Sequence, residues 1–148
     1  MKVSVHKDYN ELSKEAAKII INQVKEKPNS VIGFATGSSP LGIYQEIISD
    51  HLQNKTSYKN ILTFNLDEYF GIERTHSQSY YYFMMENLFK HIDINHNNIN
   101  FPSGVTANIK EECQKYNEKL DNHQIDIQIL GIGANGHIGF NEPGTPFD

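Results

Sequence analysis

Tryptophan is absent from this 148-residue chain, and Cys113 is its only cysteine. A lone thiol cannot close a disulfide within the chain, and cysteine-based metal sites need several thiolates. No apolar run approaches the ~20 residues that a membrane-spanning helix requires. Met1 to His6 lack the apolar stretch of a secretory leader. There is no low-complexity linker, no internal repeat and no long run of one charge. The 13 Lys and Arg are outnumbered by 18 Asp and Glu, giving a net charge of −5. Nucleic-acid binding leaves a basic stripe on a sequence, and none is visible. Together these absences point to a protein of a reducing cytoplasm that engages neither nucleic acid nor membrane. They leave room for an anionic small molecule, because backbone N–H groups at a helix N-terminus bind phosphate whatever the net charge. The length and the 38% hydrophobic content suit a single domain with one core.

What is present is an alternation of helical and strand patterns, the signature of an α/β fold with a mainly parallel sheet. Asp8 and Glu11 have capping-box spacing and open a helix expected to reach Lys25, with Leu12, Ala16, Ile19 and Val24 on its apolar face. Val31–Ala35 reads as a buried strand. Pro40 suits the first turn of a second helix, with Leu41, Tyr44, Ile48 and Leu52 inward. Ile61–Leu66 is the next strand, and Ser77–His91 the next helix, in which Tyr80–Phe83 could offer a stacking surface but read first as core packing. A short strand is expected near Ile99–Phe101. Asn108 and Glu111 cap a helix expected to bury Ile109, Cys113, Tyr116 and Leu120. Ile125–Leu130 alternates as a further strand. The chain stops at Asp148, shortly after a glycine-rich loop. The expectation is therefore an N-terminal part, residues 1–148, of a single longer domain: a Rossmann-like doubly wound sheet with helices on both faces.

Each clear strand runs straight into a polar or glycine-rich segment. In a parallel sheet all strand C-termini share one edge, where open α/β folds bind ligands. Thr36–Pro40, Asp67–Tyr69 and Gly131–Pro143 should therefore converge. Thr36, Gly37, Ser38 and Ser39 offer hydroxyls and backbone N–H groups at a helix start; the segment serves equally as an anion cradle or an ordinary cap. Asp67, just past a buried strand, suits a general base if partly desolvated; taken by itself it reads first as a turn residue. Gly131–Pro143 places His137 among four glycines, with Glu142 five residues on. Imidazole passes protons both ways near neutrality. The other histidines lie in polar segments or at spacings that build no metal site.

TGSSPLGIY at 36–44, FNLDEYFG at 64–71, SYYYFM at 79–84 and LGIGANGHIGFNEPG at 130–144 together resemble the glucosamine-6-phosphate deaminase family. The resemblance runs through the whole chain. It implies a modified Rossmann-like fold without nucleotide, metal or organic cofactor. It also implies a small-molecule substrate, glucosamine 6-phosphate, and is compatible with a homo-oligomer. In that family a histidine opens the sugar ring, which maps onto His137, oriented by Asn135 and Glu142. An aspartate moves a proton between C2 and C1, which maps onto Asp67. Amides around Ala134 and Gly136 would meet the substrate. Asn135 stands where some members carry aspartate; an amide orients the imidazole but lends no charge to it. The family completes its phosphate site with an arginine and a lysine from a C-terminal half, so residues 1–148 alone are expected to release negligible ammonia. Two rivals share the fold. A 6-phosphogluconolactonase usually continues its Gly-His loop differently from Gly-Phe-Asn-Glu-Pro. A sugar-phosphate-sensing regulator would have no use for Asp67, His137 and Glu142 together.

Overall fold

The computed structural model describes residues 1–146. Helix α1 spans Tyr9–Glu26, capped as expected: the Asp8 carboxylate accepts from the Glu11 N–H at 2.9 Å. Glu11 reaches past the cap to the Lys7 N–H at 2.8 Å. Strand β1 is Val31–Phe34, followed by α2 at Leu41–Asn54, β2 at Leu62–Asn65 and α3 at Tyr80–Asn87. A short β3 at Ile99–Asn100 leads to α4 at Ile109–Asp121 and β4 at Ile127–Gln128. The strands are shorter than their apolar patterns. The helix expected from Ser77 begins three residues later, because Ser79 turns into the N-cap and accepts from Tyr82 N–H at 3.3 Å.

The four strands are all parallel and lie in the order β3-β2-β1-β4. The chain lays down β1, β2 and β3 in one direction and then crosses to the other side of β1. The switch point is therefore between β1 and β4, where the loops leaving the strands diverge and a crevice opens. Register puts Ile32 beside Thr63 and Ile127, on one face with Phe34 and Ile99. That face carries the main core. Phe34 meets the rings of Tyr44 from α2 and Phe89 just after α3, at 5.7 and 5.8 Å. Each such fully buried side chain contributes about 1.5–3 kcal/mol. Phe64 points to the opposite face, where Tyr116 of α4 packs edge-on at 5.9 Å. Helices thus cover both faces, as the doubly wound pattern requires. No helix of the described residues is long and apolar enough to cross a membrane.

Three helix faces differ from their sequence reading. In α1 the buried stripe is Ser13, Ala17, Ile20, Ile21 and Val24, one residue round from the expected face, and Leu12 and Ile19 are exposed. The cause is the α1–α2 contact. A Cβ on Gly42 would stand 2.3 Å from Ser13 Oγ, so the small pair Ser13 and Gly42 is what lets the two helices approach. In α2 the same contact turns Ile43 and Ile47 inward with Tyr44 and leaves Leu52 exposed. In α4 only Tyr116 is buried; Ile109 is exposed, and Cys113 is exposed rather than in the core. A helix leaning on the sheet through one aromatic side chain buries little else.

Candidate active site

The end of β1 is fixed from below. The Tyr44 hydroxyl donates to the Ala35 carbonyl and accepts from the Ala35 N–H at 3.3 Å. Burial pushes its phenol far up, so it stays protonated. Beyond Ala35 the chain turns through Gly37 at φ +96°, a conformation that favours glycine. Tyr9, from the start of α1, holds this loop from outside. Its hydroxyl lies 3.1 and 2.9 Å from the Ser38 and Ser39 carbonyls and accepts from Gly42 N–H at 2.8 Å. No side chain caps α2. Among the described residues, the N–H groups of Gly37, Ser38 and Ser39 donate to no protein acceptor. The start of α2 thus leaves these backbone donors open, as helix N-termini do. Replacing Tyr9 by Phe removes the hydroxyl that holds the loop. The expected cost is about 1–3 kcal/mol of stability, with a rise in KM exceeding any change in kcat; thermal unfolding and steady-state kinetics check both.

At the end of β2, Asn65 is buried and its amide donates to the Phe34 carbonyl at 3.2 Å, joining the two strand ends. Tyr116 donates to the Asn65 carbonyl at 2.7 Å from the other face. Asp67 follows, half-buried. Burial first, and the neighbouring Glu68 charge second, raise its carboxyl above the usual carboxylate range. Glu68 has a different task. Its oxygens accept from Ser79 Oγ at 2.8 Å and from the N–H groups of Tyr80 and Tyr81 at 2.9 and 3.0 Å. A carboxylate on the first N–H groups of α3 satisfies donors that a helix start leaves open. The two adjacent acids are thereby divided: Glu68 anchors, and Asp67 faces the cleft.

The loop after β4 folds on itself. Gly133 N–H donates to the His137 carbonyl at 2.8 Å, and Gly136, at φ +89°, donates to the Gly133 carbonyl at 2.9 Å. Asn135 Oδ1 accepts from the His137 N–H at 3.2 Å and lies 2.7 Å from His137 Nδ1. Its Nδ2 donates to Glu142 at 2.7 Å. A backbone N–H can only donate and a carboxylate accepts, so the amide orientation is fixed. His137 Nδ1 must then be the donor toward Oδ1, which leaves Nε2 free to take a proton. Glu142 stands 3.7 Å from Nδ1 and supports the ring chiefly through Asn135.

The three segments meet as their strand positions require. A cleft of about 430 Å³ is lined by Thr36–Ser39, Asn65–Asp67, Tyr80, Gly131–Ala134, His137 and Gly139. Asn135 and Glu142 lie behind His137 rather than on the cleft wall. Gly136 is also off the wall, and its N–H is taken up by the turn, so Ala134 is the amide of that group on the cleft. Among the described residues no cluster of three or more His, Cys, Asp or Glu could hold a metal ion. Residues 7–140 match the model of the glucosamine-6-phosphate isomerases/6-phosphogluconolactonase family. The chain belongs to that family.

Relatives within and around the family give the likeness its scale. The glucosamine-6-phosphate deaminase of Clostridium novyi (strain NT) is 57% identical over 149 residues, covering 100% of this chain and 62% of its own length. A solved monomeric glucosamine-6-phosphate deaminase superposes with a TM-score of 0.96 at 44% identity, covering 99% of this chain and 61% of its own. The 6-phosphogluconolactonase of Thermotoga maritima shares the fold, with a TM-score of 0.73 at 21% identity over 92% of this chain and 61% of its own. The chain thus spans less than two thirds of the length of these relatives.

Sequence reasoning passed over several residues that the family fold brings to this site. Tyr80 packs against the core, as expected, and also lines the cleft, which was not expected. Its phenol is pushed well up by burial first, then by Tyr69 and the Asp67 charge. Its position directly after the Ser79 cap was the available signal, since a first-turn residue projects beside its helix start. Tyr9 and Asn65 carry no local signal, because both act across more than 25 residues of sequence.

Proposed function

We propose that the full-length protein converts glucosamine 6-phosphate and water into fructose 6-phosphate and ammonia, in cytoplasmic amino-sugar breakdown. The observation that carries this reading is the pairing across one cleft of a desolvated carboxylate, Asp67, with an imidazole whose Nε2 is left free by the Asn135–Glu142 chain. The substrate phosphate lies against the Gly37–Ser39 amides. His137 takes the proton of the C1 hydroxyl and returns it to the ring oxygen, opening the pyranose to an aldehyde. Asp67 removes the C2 proton beside that carbonyl while O1 takes up a proton, giving an enolamine, and returns its own proton to C1 as the amine nitrogen gives one up. The product is a C2 imine; water adds to C2 and ammonia leaves. Every step is a proton transfer or an addition of water, so these residues need no redox partner. The identities of 57% and 44% to proteins named for this activity support the assignment.

The deciding experiment is ammonia release from glucosamine 6-phosphate by the full-length protein, run beside hydrolysis of 6-phosphogluconolactone. Stoichiometric ammonia and fructose 6-phosphate are expected. Lactone hydrolysis without ammonia would overturn the assignment.

A further inference from the structure

Phe140 stands three residues past His137, off the cleft wall and more than half exposed. Its ring nevertheless lies 5.5 Å from Tyr69 and is stacked on Tyr80 at 6.0 Å. Tyr69 and Tyr80 are themselves 4.7 Å apart, and the Tyr80 hydroxyl donates to Tyr69 at 3.0 Å. Tyr69 closes the Asp67–Tyr69 segment. Tyr80 opens α3, whose first N–H groups are held by Glu68. Three rings from two different loops and one helix thus form a cluster of the geometry in which aromatic pairs attract beyond their buried area.

The turn that carries Phe140 is itself well defined. Ile138 N–H donates to Asn141 at 3.2 Å, and Asn141 N–H returns a bond to Ile138 at 3.0 Å. Between them Gly139 takes φ +60°, and a Cβ there would stand 3.3 Å from Asp67 Oδ2. One turn therefore lays bare backbone over the Asp67 carboxylate and grips the Tyr69–Tyr80 pair through the next side chain.

We propose that Phe140 is a positioning residue: its ring clamps the turn after His137 onto Tyr69 and Tyr80, which fixes His137 relative to Asp67 and keeps water off the carboxylate. The functional part of this inference rests on Asp67 and His137 being the proton carriers. The geometric part does not. Burial is the leading cause of the raised Asp67 carboxyl, and the lid of backbone over Oδ2 is part of that burial. The titratable groups facing Asp67 are Glu68 beside it, Tyr80 of α3, Tyr116 of α4 and His137 across the cleft. Both phenols are pushed far up and stay neutral, so loosening the turn changes the hydration of Asp67 without changing their charge.

The test uses the full-length chain with Phe140→Ala, the milder Phe140→Leu, and Phe140→Tyr, which restores a ring. The carboxyl carbon of Asp67 is titrated by NMR, and the pH dependence of ammonia release is measured in parallel. In Phe140→Ala the titration midpoint should fall toward that of an ordinary carboxylate. The acidic limb of kcat/KM should move to lower pH with it, and kcat should drop about 10- to 100-fold through misplacement of the two carriers. Phe140→Leu should fall between, and Phe140→Tyr should restore the midpoint. A residue that merely stabilised the loop would lower the melting temperature and leave the midpoint in place. An unmoved midpoint in a folded variant overturns the clamp; if Phe140→Ala does not fold, Phe140→Leu decides by the same reading. Should the unmutated protein release no ammonia, the proposed function falls while the NMR midpoint still decides the clamp.

Discussion

Asp67→Asn is expected to lower kcat by about 10²- to 10⁴-fold, the usual worth of a positioned proton carrier, and at the same time to raise the melting temperature at neutral pH. Both effects come from the same burial. The folded protein holds the Asp67 carboxyl above its ordinary range, so the unfolded chain gives up that proton more readily than the folded one. The stability associated with the protonated form is present below the ordinary carboxylate range. It is lost as pH rises through the raised folded value. Near neutrality the ionised carboxylate therefore costs the fold, and a neutral amide of the same shape removes the cost. At acid pH, where wild-type Asp67 is itself protonated, the gain should vanish. Activity follows the opposite course. The base works only when ionised, so kcat/KM in the wild type should fall as pH drops through the raised value. Thermal unfolding at neutral and acid pH, with kcat from ammonia release, measures both sides. A lower melting temperature for the variant at neutral pH would sink the desolvation account.

Gly133→Ala should be as damaging as removal of the imidazole, although it adds a single methyl group. The histidine ring lies directly on Gly133: a Cβ there would stand 2.2 Å from Cε1, 2.4 Å from Nδ1 and 2.6 Å from Nε2 of His137. No rotamer of an alanine relieves this, so His137 must swing away and give up its 2.7 Å contact with Asn135 Oδ1. The expected loss in kcat is again about 10²- to 10⁴-fold. Combined with His137→Asn, the alanine should add little more, since both changes remove one function. Gly136→Ala provides the contrast. Gly136 sits at φ +89° with nothing within 4 Å of a built Cβ. Its cost is backbone strain, about 1–2 kcal/mol of stability, rather than collision with the imidazole. If Gly133→Ala keeps wild-type kcat, the ring is not held where the structure holds it.

The sequence alone determined the alternation of helices and strands, the parallel sheet, and the meeting of three loops at one sheet edge. These follow from local rules: caps such as Asp8 and Asn108, periodicity, and glycine or polar residues at strand ends. It also singled out His137, because a histidine among glycines is unusual, whereas Asp67 taken alone reads as a turn residue and stood out only through the motif it shares with the family. Only the tertiary structure decided which stripe of α1 faces inward. Periodicity fixes the angle between apolar residues but not the partner, and here the partner is the small surface at Gly42, which draws in Ser13 and leaves Leu12 and Ile19 exposed. The same holds for Cys113, which sits on an apolar stripe that α4 does not bury. Tertiary structure likewise separated Glu68, bound to the start of α3, from Asp67 beside it. It brought Tyr9, Tyr80 and Phe140 to the site. Such contacts join residues far apart in the chain through hydrogen bonds and ring packing. No local pattern encodes them, because each depends on where a second segment has already been placed.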